Sequence, residues 1–233
     1  YFDDHLGPVA NVSHNILYKA AGRSFLVNGG AGRTPAAAWL AQEMNAGHVV
    51  SAGYRRRRTG PEIRQGTPDQ TPPCDLGDEL EMMRRRGLTV TSDPNRINAI
   101  DQMSSHQIPI IDGGLGDPRL RNGFRIACID GRTPMGRGPF PVGSRRLPWS
   151  TLDHVDAIWI ANPSSHMDCV QLPRHVPTVR SSMHALGWIH KGTLHPLDAV
   201  QGSVDVVVGI ANPERLVCTL VDLGLHIRTL RVV

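Results

Sequence analysis

At 233 residues the chain is long enough for one large domain or two smaller ones. A hydrophobic fraction of 40% is compatible with a packed core, and 24 glycines with 18 prolines imply numerous loops. The net charge of +4 is gathered in clusters at Arg55–Arg58, Arg84–Arg86 and Arg145–Arg146, which suit either an anionic partner (nucleotide, phospholipid head group, nucleic acid) or solvated loops. Cys74, Cys128, Cys169 and Cys218 are widely spaced, with no C-x-x-C, which argues against a disulfide framework or zinc site and for reduced thiols in a cytosolic protein. No apolar run approaches the roughly 20 residues that span a bilayer, and no secretory signal is visible.

In chain order, Leu6, Val9, Val12, Ile16, Leu17 and Ala20 fall loosely on one helical face, packed on a core or lying on a membrane. Phe25–Val27 is a short apolar strand, followed by Asn28-Gly29-Gly30-Ala31-Gly32-Arg33-Thr34-Pro35 and a helical pattern through Met44 that Gly47 ends. His48–Tyr54 reads as a strand running into a turn, and Arg55–Pro73 as a long loop or loose hairpin. A helix over Leu80–Arg86 stops at Gly87, and Leu88–Thr91 is a short strand. Asp93-Pro94 suggests a cap and first turn for a helix reaching Met103. Gln107–Asp112, Arg125–Asp130, Asp156–Asn162 and Val204–Gly209 read as strands, the last followed by a helix over Pro213–Leu223. Strands alternating with helices predict an α/β fold, a mainly parallel sheet flanked by helices. The expected division is a larger domain over residues 1–162 and a smaller α/β domain over 163–233.

A strand, a glycine-rich turn and a helix start make a phosphate cradle, because backbone N–H groups can face an anion beside the positive end of the helix. The standard phosphate loop ends in Gly-Lys-[Ser/Thr]; here Arg33 stands at the Lys position. Arg keeps the charge and can hold phosphate bidentately, but its fork is bulkier than an ammonium. In such sheets ligands bind at the carboxyl ends of the strands. Asp112, in Ile-Ile-Asp-Gly-Gly-Leu-Gly, is the expected Mg²⁺ carboxylate, with Thr34 offering a hydroxyl to the same ion. Asp130, before Gly131, is expected only to cap a turn. His184, His190 and His195 lack a metal-site spacing, Ser164-Ser165-His166 lacks a nucleophile elbow, and Arg84–Arg86 fit the negative end of a helix.

The ordered succession of motifs resembles the tetraacyldisaccharide 4′-kinases, the lipid A 4′-kinases of Gram-negative bacteria. Their Gly-Gly-Thr-Gly-Lys-Thr-Pro is matched by Gly29–Pro35, and their Ser-Arg-Gly-Tyr before a basic stretch by Ser51-Ala52-Gly53-Tyr54 before Arg55–Arg58. Gly-Asp-Glu-Pro is matched by Gly77-Asp78-Glu79-Leu80, Asp-Arg by Asn95-Arg96, and Asp-Asp-Gly-Leu-Gln-His by Asp112–Asp117. The segment Phe140–Pro148 is similar to Leu-Pro-Ala-Gly-Pro-Leu-Arg-Glu-Pro. Val155–Asn162 and Val208–Leu216 are close to two further family segments, so the likeness covers nearly the whole chain.

The resemblance implies a P-loop-type ATP-binding domain with a smaller second domain, and transfer of the ATP γ-phosphate to the 4′-hydroxyl of a tetraacyldisaccharide 1-phosphate. That chemistry belongs at the cytoplasmic face of the inner membrane, with ATP and Mg²⁺ as cofactors and no nucleic acid partner. It implies nucleotide contacts from Asn28, Gly29, Gly30, Ala31, Gly32, Arg33 and Thr34. It also implies substrate contacts from Tyr54, Arg55, Asp78, Glu79 and Arg146, and chemistry at Arg33, Asn95 and Asp112. The departures fall on the chemistry. Arg33 replaces Lys, Gly113 replaces the second Asp, and Asp117 replaces His. Asn95 replaces the carboxylate implicated as base, and an amide is no proton acceptor at neutral pH. The chain also ends at Val233, before the family's Asp-His segment. This pattern keeps a scaffold while weakening or removing catalysis, with Asp93 and Asp117 as replacement carboxylates; a non-catalytic nucleotide- or phospholipid-binding protein is the alternative.

Overall fold

The computed structural model of the chain describes residues 25–29, 32–44, 47–53, 64–67, 76–117, 119–120, 123–134, 148–210 and 213–233. The expected N-terminal helix and the basic stretch Arg55–Arg58 lie outside these residues.

The large unit extends through Ser182 and is built on one sheet. Its strands are β1 (Phe25–Gly29), β2 (Gly47–Ser51), β3 (Arg64–Gly66), β4 (Thr89–Ser92), β5 (Ile108–Asp112), β6 (Phe124–Asp130), β7 (Ala157–Ala161) and β8 (Thr178–Ser181). Their spatial order is β3-β4-β2-β5-β1-β6-β7-β8, all parallel except the edge strand β3, which runs antiparallel to β4. The parallel α/β expectation therefore holds. β8 pairs with β7, so the sheet and its compact unit continue past residue 162 to Ser182.

Strand β1 lies in the middle, hydrogen-bonded to β5 on one side and β6 on the other. Phe25, Leu26 and Val27 are buried on both faces, the reason this run is apolar without alternation. On one face α1 (Arg33–Glu43) and α2 (Asp78–Arg85) cover Phe25, Val27, Val49, Val90, Ile110 and Ile126. The buried side of α1 is made of Ala36, Ala37, Ala38, Leu40 and Ala41, small residues that let a helix lie close on a sheet. On the opposite face, Leu26, Val50 and Ile111 pack with Ala99 of α3 (Arg96–Asp101), while Ile129, Ile158 and Ile160 pack with Leu152, Met167 and Val176.

Helix α2 begins with Asp78, Glu79 and Glu81 and ends with Arg84 and Arg85, matching both ends of the helix dipole. It stops at Gly87, whose φ of 88° is the left-handed C-cap conformation that glycine adopts without strain. The Gly87 N–H donates to Arg84 O and the Leu88 N–H to Met83 O. Helix α3 is shorter than expected, with Asn95 at its N-cap position making no side-chain capping bond, while Asp93 Oδ1 accepts from the Asn95 N–H just before it.

The second unit, Met183–Val233, holds a hairpin and a β-α-β element. The hairpin pairs β9 (Trp188–His190) with β10 (Thr193–His195) across Lys191-Gly192, both at positive φ as a tight twisted turn requires. β11 (Ser203–Val208) and β12 (His226–Val232) pair in parallel, joined by α4 (Pro213–Asp222), and Val206, Val208, Leu220 and Leu225 form the core. Among the described residues no helix is long and apolar enough to cross a membrane.

Candidate functional site

The carboxyl ends of β1 and β5 are held side by side by register. Val27 is paired with Asp112, and the Gly113 N–H then donates to Val27 O at 2.7 Å. Asp112 thus stands where the chain leaves β1 for the glycine loop. That loop delivers Gly32 at φ 83° as the N-cap of α1, with the Ala36 N–H closing the first helical bond onto Gly32 O. The first turn of α1 carries no acidic side chain and no side-chain cap, so its positive end is uncompensated by the helix itself. Pro35 sits in that turn, where an N–H has no intrahelical acceptor in any case.

Arg33, the first residue of α1, turns back to the strand end. Its Nε pairs with Asp112 Oδ1, and its Nη2 lies 3.6 Å from Glu79 in the first turn of α2. Arg96, the first residue of α3, arrives from the other face. A Cβ built on Gly113 would stand 3.2 Å from Arg96 Nη2 and 3.6 Å from Arg33 Nη1. Two guanidinium groups therefore flank the position vacated by the missing side chain. Gly113 itself has φ 86°, a conformation suited to glycine.

Burial pushes the Asp112 carboxyl up to about 6 and the charge of Glu79 acts the same way, while Arg33 and Arg96 pull it down. Burial also lowers the Arg96 guanidinium from its usual value, against the opposing attraction of Asp112. Burial, with Asp112 nearby, raises the Cys128 thiol, so this cysteine at the end of β6 is an inert core residue.

Beside this cluster, Asn95 Oδ1 accepts from Arg119 Nη1 at 3.2 Å, and Arg119 also forks onto Asp117 at 2.8 and 2.9 Å. The Arg119 hydrogen bonds hold Asp117 down to about 2. Asp93 is buried at the end of β4, and its Oδ1 accepts from the Asn95 N–H at 2.7 Å. Neither carboxylate is an idle replacement for the missing base: one is tied to Arg119 and the other shapes the approach to α3.

The structure thus brings Arg33, Glu79 and Asp112 together, with Asn95 nearby through Arg119. Thr34 follows Arg33 half-buried, and Asp78 is exposed in the first turn of α2. Gly30, Ala31, Tyr54, Arg55 and Arg146, and the side chain of Asn28, lie outside the described residues. Asp130 Oδ1 accepts from the Arg132 N–H, the turn cap expected of it. Arg84 is more than dipole charge: it is buried, forks onto Glu81 and donates to Thr67 O. Sequence reasoning missed Arg96 and Arg119. Arg96 had a signal, as the constant half of the Asp-Arg motif; Arg119 had none.

Residues 26–232 match the family model described as tetraacyldisaccharide-1-P 4′-kinase. The chain belongs to the tetraacyldisaccharide 4′-kinase family. A tetraacyldisaccharide 4′-kinase of Dechloromonas aromatica is 30% identical over 224 residues, 88% of this chain and 63% of that protein. The enzyme of Aeromonas hydrophila is 32% identical over 210 residues, 84% and 59% of the two chains. That of Pseudomonas aeruginosa is 29% identical over 203 residues, 82% and 59%. The chain thus spans about three fifths of the length of these curated relatives. A crystal structure of an apo-form LpxK from Aquifex aeolicus in complex with ATP superposes with a TM-score of 0.65 at 19% identity, covering 90% of this chain and 69% of that one, which establishes the shared fold.

Tetraacyldisaccharide 4′-kinases, as phosphoryl-transfer enzymes, imply a divalent cation, and the expected ligands here are Asp112 and Thr34. Asp112 is the carboxylate that the end of β5 offers it. Mg²⁺ is held by one or two carboxylates together with substrate phosphates and water. Asp112 is already paired with Arg33, Gly113 offers no second carboxylate, and two guanidinium groups flank the place where it would stand. Among the described residues no group of three His, Cys, Asp or Glu side chains is arranged for a metal. The Asp112 carboxylate is also the counter-ion of Arg33.

Proposed function

We propose that this chain is an ATP-dependent kinase, or the part of one, that transfers the γ-phosphate to the 4′-hydroxyl of a tetraacyldisaccharide 1-phosphate at the inner face of the inner membrane. The observation that carries this reading is the placement of Arg33 and Asp112, at the start of α1 and the end of β5, on either side of the glycine loop. The loop and the N-terminus of α1 receive the phosphates of ATP. Arg33 and Arg96 supply fixed positive charge where the transferring phosphoryl group gathers negative charge. Asp112, with a pKa of about 6, is the carboxylate of the cluster best matched to accepting the proton of the attacking hydroxyl near neutral pH. Asn95 cannot do so. The basic segment Arg55–Arg58 and Arg146 belong to the anionic lipid in this reading, and the protein meets the membrane peripherally.

A second reading, a non-catalytic nucleotide- or phospholipid-binding protein, is favoured by the engagement of Asn95 with Arg119 where a catalytic carboxylate is expected. Transfer of ³²P from labelled ATP to the disaccharide lipid in mixed micelles separates the two. Under the kinase reading the chain turns over, and Arg33→Lys with Asn95→Asp raises the rate by about a hundredfold or more. No labelled lipid from either protein, at concentrations where both bind ATP, sinks the kinase reading and leaves the second.

A further inference from the structure

We propose that Asp93 is a positioning residue: by fixing the turn from β4 into α3 it sets where Arg96 stands beside Gly113 and Asp112. The proposal rests on the kinase reading above and concerns how one charge of that site is held in place. Arg96 opens a helix of six residues, too short to hold itself by its own hydrogen bonds, and the N-cap residue makes no side-chain capping bond. Asp93 fixes that first turn from two sides. Its N–H donates to Ser51 O at 2.9 Å, which extends the β2–β4 ladder one step past the Ser51–Ser92 pair. Its Oδ1 accepts from the Asn95 N–H at 2.7 Å, the short loop that an Asp side chain closes on the backbone two residues on. A single residue, 1% exposed, thereby ties two strands to the residue that immediately precedes Arg96.

The turn delivers two side chains to the site. Arg96 leaves it towards Gly113, where a Cβ would stand 3.2 Å from Arg96 Nη2, and Asp112 attracts its charge. Asn95 leaves it towards Arg119, from which its Oδ1 accepts, while its Nδ2 donates to Asn98 Oδ1. The choice of residue points the same way. Asp93 Oδ2 is buried with no hydrogen-bond partner among the described residues, an arrangement that costs stability. A solvated Ser or Asn closes the same kind of turn without that cost. A carboxylate locked by packing holds the neighbouring group to a fraction of an ångström, which a solvated cap does not.

The test compares Asp93→Asn, which keeps an oxygen for the Asn95 N–H, with Asp93→Ala, which does not. Two quantities are read on the full chain. One is exchange of the Arg96 Nε proton with water, followed by nitrogen-15 NMR, with Arg84 Nε, bonded to Glu81 on α2, as the internal control. The other is kcat and KM for ATP in the ³²P transfer assay. Asp93→Ala should speed exchange at Arg96 about tenfold or more and leave Arg84 within about twofold, as a local opening does. It should lower kcat about ten- to a hundredfold with KM within about threefold, as loss of a charge aligned for the transition state does. Asp93→Asn should restore both quantities to within about threefold of the parent. Exchange that quickens equally at both arginines marks a general loss of stability and overturns the proposal. Unchanged exchange at Arg96 in Asp93→Ala, or an Asn variant as impaired as the Ala variant, overturns it too. Absence of transfer in every form, the parent included, sinks the kinase reading, and the exchange rates then decide the proposal on their own.

Discussion

Gly32 and Ala161 approach so closely that a Cβ built on the glycine would stand 2.4 Å from the alanine Cβ. The last glycine of the loop is thus fixed twice, by a φ of 83° and by the end of β7. Gly32→Ala is expected to destabilise the fold by about 2–4 kcal/mol, the sum of left-handed strain and overpacking. Urea denaturation checks this. Combining it with Ala161→Gly should recover the steric part alone, so a double variant whose losses simply add would rule out the contact as the cause.

Asp112 gives stability an unusual pH dependence. Its folded pKa, about 6, exceeds the ordinary 3.8, so the folded chain holds a proton that the unfolded chain releases. The contribution is fully present below 3.8 and is lost as pH rises to about 6, a change of roughly 3 kcal/mol at most. Glu81, Asp117 and Asp205, each held to about 2 by arginine hydrogen bonds, act oppositely: their contributions are lost as pH falls from the ordinary range towards 2. Asp112→Asn should flatten the unfolding free energy between pH 4 and pH 6 and leave the acid limb unchanged. An unaltered slope in that window would show that Asp112 titrates normally.

Neighbouring arginines on α2 should behave very differently. Arg84, buried and bonded to Glu81 and Thr67 O, is expected to cost about 1–3 kcal/mol on replacement by Ala. Arg85 pairs with the same Glu81, but its side chain is 68% exposed, and Arg85→Ala should change stability by less than about 0.5 kcal/mol. Equal losses in chemical denaturation would contradict the burial argument.

Arg119 sets the charge state next to Asn95. In Arg119→Ala the Asp117 carboxyl should titrate upward from about 2 towards 3.8, followed by carboxyl carbon chemical shifts. Should Asp117 stay near 2, some group other than Arg119 holds it there.

Much of the architecture was legible because the punctuation is unambiguous. Gly87 stops α2, Pro35 sits in a first helical turn, and runs such as Ile108–Asp112 are too apolar to be anything but buried strands. β12 was not legible. The ladder shifts register between Val204 and Asp205, so Arg228 falls out of the pairing and forks onto Asp205, breaking the two-residue alternation that marks a strand. β3, β9 and β10 have three residues each, too few to show a period. At the site, the glycine loop and Asp112 could be named from local sequence. Their pairing could not, because it depends on the Val27–Asp112 register, and Arg96 is brought to Gly113 only by α3 crossing the opposite face.

Trp39 of α1 lies against Trp159 of β7, with ring centroids 5.4 Å apart and tilted by 53°, and the Trp159 indole N–H is anchored on Ser181 Oγ. One ring rides on α1, while the other is fixed to the sheet. The two indoles therefore span the boundary between helix and sheet, and any displacement of α1 against β7 would change their spacing.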